Sequence, residues 1–176
     1  MQGLNFYIEQ YKAEIYDIYK AYRFSHFGLY NLRDIYLQNK AANNIDFLRI
    51  QDPQFNVDLR FNEDDVEEAR EEGFYQKIMA GNTIAMIYNL WEDKYRGIFS
   101  KIYGLDDRKK LQNDFFGDIN LIRQSITHNH FNRTSDINRL KVLGHLFPDN
   151  KFVLDCFTIE VIYKEALNTL HNLKEK

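Results

Sequence analysis

Leu4, Ile8, Tyr11, Ile15, Ile18 and Tyr22 recur at intervals of 4, 3, 4, 3 and 4 residues. At ~100° per residue these intervals hold all six side chains on one stripe, which a helix can bury and a strand cannot. The spacing predicts a helix over about residues 4–25. The pattern returns in Phe74, Ile78, Gly81, Ala85, Tyr88, Trp91, Tyr95, Ile98 and Ile102. It returns again in Cys156, Ile159, Tyr163, Ala166, Leu170 and Leu173. Only 2 Pro and 8 Gly interrupt 176 residues, while 12 Tyr and 14 Phe supply bulky packing groups. Few breakers and three long stripes imply an all-α bundle of four to five main helices.

Between the stripes the signals are local. Gly28 is a candidate interruption, after which Leu29, Leu32, Ile35 and Tyr36 suggest a second helical piece. IDFLRI and FNVDLRF flank QDPQ, with Pro53 at the turn, and read as a small β-hairpin or an irregular insertion around residues 45–61. Asn62 with Asp65 imitates a capping box and opens a helix whose periodicity runs to about residue 103. Gly73 or Gly81 is placed to bend or break it, and Gly81 is small enough to admit another helix. The Trp91 and tyrosine stripe reads as core or as a dimer surface rather than a cofactor box. Gly104 stops this helix, and the next begins near Asp114 or Asp118. SDINRLKVLGHLF reads as a short helix capped by Ser135, Pro148 ends that region, and a last helix covers about residues 152–174.

The length suits one domain, here taken as residues 1–176, with a core large enough to need no staples. Cys156 is the only cysteine, so no intrachain disulfide exists. No signal-peptide pattern and no run of 18 apolar residues occurs, so the expectation is a cytoplasmic protein without a membrane span. The net charge of -3 carries no global nucleic-acid signature. The stretch from Arg123 to Lys151 differs. Its bases are Arg123, Arg133, Arg139, Lys141 and Lys151, its acids Asp136 and Asp149, and five against two leaves +3.

That stretch begins in LIRQSITHNH, residues 121–130. With Phe115 set at zero, Ile119, Ile122 and Ile126 fall within about 40° of it and form the buried stripe. Arg123 lies about 80° round, where its stem can pack while the guanidinium reaches a groove. His128 lies about 140° from Arg123 on a regular helix, so the two diverge. Either Asn129 leaves the helix in a left-handed conformation and swings His128 and His130 round, or two chains share one cleft across a two-fold axis.

Arg123-Gln-Ser-Ile-Thr-His128 resembles the R-x(4–6)-H signature of the HEPN superfamily, the "higher eukaryotes and prokaryotes nucleotide-binding" domains. The hydrophobic lead-in DINLIRQSITHN and the order of helices are also similar. The resemblance implies a homodimeric all-α bundle. In many members it implies a metal-independent endoribonuclease that serves as a toxin or phage-defence effector, with an antitoxin as cognate partner. Other members only bind a nucleotide, RNA or a protein. The residue after the arginine is often Asn, Asp or His in active members; here it is Gln124.

The residue types suit that chemistry. Histidine titrates near neutrality and can take the 2′-OH proton or supply one to the leaving 5′-oxygen. Arginine offers a fixed cationic fork for the charge that builds on phosphorus. Arg123 and His128 are therefore the expected catalytic pair. Gln124, Asn129, His130 and Arg133 are the expected supporting or RNA-binding residues. No cofactor is expected. A metal is not expected either, because His128, His130 and His145 lack a Cys or Glu to complete a ligand set. The structural alternatives are an Arg123 paired to a neighbouring carboxylate and a His128 that caps carbonyls at a helix end.

Overall fold

The computed structural model describes residues 3–148 and 151–173. It is an all-α bundle with one small antiparallel hairpin. In chain order the elements are α1 (Leu4–Asn43), β1 (Leu48–Asp52), β2 (Val57–Phe61), α2 (Glu63–Glu67), α3 (Phe74–Asn89), α4 (Arg96–Ile102), α5 (Asp114–His128) and α6 (Cys156–Asn172). A π-helical turn, Leu90–Tyr95, joins α3 to α4 without a break in the rod. No helix among the described residues is long and apolar enough to cross a membrane.

The first stripe is buried as its spacing requires: Ile8, Tyr11, Ile15 and Tyr22 all enter the core. The expected interruption at Gly28 does not occur. α1 runs 40 residues, ~60 Å, and ends at Asn44 in a left-handed cap that donates to the Lys40 carbonyl. A single glycine costs a helix only ~1 kcal/mol, and lateral ties on both sides of Gly28 offset that. His26 Nδ1 meets Gln76 Oε1 at 3.0 Å, Tyr30 donates to Glu71 at 3.1 Å, and Arg33 donates to Glu67 at 3.1 Å.

The segment around 45–61 is the hairpin, with Leu48 opposite Phe61 and Asp52 opposite Val57. Asp52 accepts from the Gln54 and Phe55 N–H groups, and Asn56 takes the left-handed position behind Pro53. The Asn62 capping box forms in both directions, at 3.1 Å into the side chain and 2.9 Å back from Asp65.

The long helix expected from residue 62 to 103 is broken. α2 stops at Glu67, and α3 starts only at Phe74. Glu72 sits at φ 62°, and a Cβ on Gly73 would lie 2.3 Å from the Glu68 carbonyl oxygen. Glu68 then caps α3 by accepting from the Phe74 N–H at 2.6 Å. Gly81 behaves as its size allows: a Cβ there would meet Phe131 Cε1 at 2.9 Å and Ile126 Cγ2 at 3.0 Å, so α3 and the end of α5 touch closely.

Trp91 belongs to the core and not to a dimer surface. Its ring stacks on Phe116 at 4.1 Å, and Tyr11 stacks on Tyr95 at 4.1 Å beside it. The segment expected as a Ser135-capped helix is instead two 3-10 turns, Ser135–Arg139 and Gly144–Leu146, and Thr134 holds the cap position. The buried Asp118 carboxylate organises it, accepting from the Lys141, Val142 and Leu143 N–H groups at 2.7–3.0 Å. α6 begins at Cys156 rather than near residue 152, because Asp155 caps it through the Thr158 N–H at 2.7 Å.

Candidate functional site

α5 starts where Asn113 accepts from the Phe116 N–H at 3.2 Å. It buries Phe115, Ile119, Ile122 and Ile126, the stripe read from the sequence, and Phe116 beside them. Arg123 therefore emerges at the edge of the core, half-buried. Its Nη2 donates to Asn120 Oδ1 at 3.0 Å, and its guanidinium lies 4.9 Å from the centre of the Tyr88 ring. Asn120 stands three residues before Arg123 and so shares its face. No carboxylate lies within salt-bridge distance of Arg123 among the described residues, and its Nε is buried without a hydrogen-bond partner. Among the described residues, the internal ion pair that would have made Arg123 purely structural is not formed.

His128 is the last residue of α5 and is exposed. The helix stays regular from Arg123 to His128, so the two side chains leave it about 140° apart. Asn129 does not adopt the expected left-handed conformation; its φ is -121°. The left-handed residues are His130, φ 50°, and Phe131, φ 64°. Two such residues in succession cost about 1–2 kcal/mol each, and local contacts hold them. The Phe131 ring docks against Gly81, its N–H reaches the Ile126 carbonyl at 3.4 Å, and Asn132 donates to Asn129 at 2.9 Å. The turn begins after His128 and leaves its direction unchanged. One chain alone does not bring Arg123 and His128 to one point.

Gln124 is half-buried and Asn129 is exposed. Arg133 donates through Nη2 to Asn138 at 2.6 Å, while its Nη1 is buried without a partner. Ser125 is buried, and its hydroxyl pairs with that of Thr134 at 2.8 Å, which ties the exit segment back onto α5. The basic surface expected from Arg123 to Lys151 is partly spent within the chain. Arg139 pairs with Asp136 at 2.9 Å and Lys141 with Asp114 at 2.7 Å.

A cleft of about 400 Å³ lies next to the residues that hold Arg123, though Arg123 itself does not line it. Tyr88 and Asn120, the two residues that hold the guanidinium, also line it, together with the bases Arg96 and Lys141 and the acids Glu92, Asp114 and Asp118. Arg96 is committed to Glu92 at 2.8 Å and to the Leu111 and Lys109 carbonyls. Burial pushes the Tyr88 phenol above its ordinary range and Glu92 adds to this, while Arg123 opposes it; Tyr88 stays a neutral hydrogen-bonding group at working pH. Among the described residues, no three His, Cys, Asp or Glu side chains are grouped to hold a metal ion. Sequence reading missed Tyr88, Asn120, Gly81 as the seat of Phe131, and Thr134. Asn120 was within reach of a helical-face argument; the others join α5 only through the tertiary fold.

No family model, curated protein or solved structure matches this chain. The resemblance to HEPN domains therefore rests on the Arg123–His128 spacing and the order of helices.

Proposed function

We propose that this chain is an HEPN-type, metal-independent endoribonuclease, acting as a toxin or defence effector, whose site is shared by two copies. The observation that supports the reading is Arg123: a guanidinium held in place by Asn120 and Tyr88, which line a cleft, with no carboxylate among the described residues to neutralise it. A preset, unpaired cation of this kind suits a phosphate whose charge grows in the transition state. The divergence of Arg123 and His128 on one regular helix is why the reading requires two copies, each completing the other's site.

In the proposed reaction one His128 imidazole takes the 2′-OH proton. The 2′-oxygen bonds to phosphorus, and the bond to the 5′-oxygen breaks. The 5′-oxygen leaves with a proton from an imidazolium, which gives a 2′,3′-cyclic phosphate and a 5′-hydroxyl. Arg123 compensates the pentacoordinate phosphorane. Gln124, Asn129, His130 and Arg133 orient these groups or hold RNA, and the cleft takes the neighbouring nucleotide. An antitoxin, if one is present, covers this end of α5.

The test is cleavage of a mixed set of single-stranded and structured RNAs in EDTA by wild type, Arg123→Ala and His128→Ala. Cleavage by wild type alone, with cyclic phosphate ends, is the expected result. Absence of cleavage by wild type at high enzyme concentration would overturn it. RNA binding retained without cleavage would favour the alternative, a non-catalytic HEPN module that binds nucleotide, RNA or a protein partner.

A further inference from the structure

The outer face of α1 beyond the core exposes several large apolar side chains. Phe24 is 81% exposed, Phe27 63% and Ile35 49%. Phe24 points about 160° away from the buried Tyr22, so it faces away from the helices that pack on α1. Within about 60° of Phe24, the face from residue 24 to 42 carries Phe24, Phe27, Gly28, Asn31, Ile35, Gln38, Asn39 and Ala42, with no charged side chain. A long exposed helix face normally carries charge. Gly28 lies within it, and a Cβ there would meet nothing within 4 Å. This mid-helix glycine relieves no crowding in its own chain and weakens the helix. Its natural use is to let a second backbone come close.

We infer that this face is the interface for a second copy of the chain, packed antiparallel along α1. The first reason is the spacing. Residues 24, 28, 31 and 35 are separated by 4, 3 and 4, which reads the same in both directions. A two-fold axis between residues 29 and 30 therefore sets Phe24 against the partner's Ile35 and Gly28 against the partner's Asn31. Each contact occurs twice, as an isologous interface demands. Phe27 then lies beside its own copy.

The second reason is charge. A face with no charge meets its own copy without like-charge repulsion and offers nothing by which to select a charged partner. The third is area. With ~200 Å² for a whole phenylalanine side chain, Phe24 at 81% and Phe27 at 63% exposure present roughly 290 Å². Stable interfaces bury ~800 Å² per partner, somewhat more than half of it apolar, so these two rings supply more than half of the apolar share.

This interface lies on the side of α1 away from α5. It is separate from the contact that would join two α5 ends, and it stands whether or not the chain cuts RNA. The test is sedimentation equilibrium on the full chain up to ~100 µM, with circular dichroism as the folding control. Wild type should associate. Phe24→Glu with Ile35→Glu should raise the dissociation constant at least ~30-fold, the loss expected for an interface hot spot. Phe24→Lys with Ile35→Glu places opposite charges across the proposed register and should restore most of the association. Three results would overturn the inference: monomeric wild type at the top concentration, an assembly unaffected by the double glutamate variant, or a charge-swapped variant no better than that one.

Discussion

Asp118 offers the most demanding check of how the site is built. Its buried carboxylate accepts three consecutive backbone N–H groups, from Lys141 at 3.0 Å, Val142 at 2.7 Å and Leu143 at 2.8 Å. It thereby fixes the segment that covers α5 and carries Leu143 and Phe147 into the core. Asp118→Ala removes every acceptor at once. Lys141 is exposed, so its N–H can turn to water, but Leu143 is buried and Val142 half-buried. Two stranded donors at about 1–3 kcal/mol each give an expected loss of ~3–5 kcal/mol. That is a large fraction of the ~5–15 kcal/mol that holds a domain together. At ~2–4 °C per kcal/mol for a chain of this size, Tm should fall by roughly 6–20 °C. Asp118→Asn keeps one accepting oxygen and should cost only ~1–2 kcal/mol. Urea titration followed by the fluorescence of Trp91 measures both, because that single tryptophan is buried against Phe116, two residues from Asp118. A loss under ~1 kcal/mol for Asp118→Ala would refute the count of stranded donors. Equal losses for the Ala and Asn variants would assign the cost to the missing charge instead.

Further outcomes follow from the same geometry. His130→Gly should stabilise the chain by roughly 0.5–1 kcal/mol, since glycine accepts a positive φ that costs other residues ~1–2 kcal/mol but loses backbone entropy. Thermal unfolding reads this, and a lower Tm would mean that the imidazole makes contacts worth more than the strain. Gly73→Ala should cost ~2 kcal/mol or more, because the added Cβ collides with backbone, the Glu68 carbonyl at 2.3 Å; unchanged stability would show that residues 68–73 shift freely.

The Tyr19–Glu160 hydrogen bond should leave a mark at both ends of the pH range. Burial and the Glu160 contact push the Tyr19 phenol up to about 12, so its contribution is intact below pH 10 and is lost as pH rises from 10 to 12. Tyr19, and after it Lys164, hold the Glu160 carboxyl below its usual range. Its contribution is present above pH ~4.5 and is lost as pH falls through the depressed value. Tyr19→Phe should flatten both limbs of a stability–pH profile, and an unchanged profile would refute the coupling.

Helix identity was legible wherever an apolar stripe recurred at helical spacing. The 3–4 spacing of α1, α5 and α6, the capping box at Asn62 and the turn at Pro53 each followed from interactions within a few residues. Continuity was not legible in the same way. Gly28 and Gly73 look alike in the chain, yet α1 passes through one and the rod stops at the other. Lateral hydrogen bonds to α2 and α3 hold the first, and the path of the Glu68 carbonyl decides the second.

The site divides along the same line. The sequence by itself determined that Arg123 sits at the edge of a buried stripe and that His128 points elsewhere, because the helical repeat sets both angles. Only the tertiary structure decided that Tyr88 and Asn120 hold the guanidinium, that no carboxylate among the described residues neutralises it, and that Gly81 seats Phe131 in a left-handed turn. The physical reason is range. Periodicity and capping are properties of neighbours along the chain. Desolvation, ion pairing and close approach depend on residues that meet only when α3 and α5 pack together.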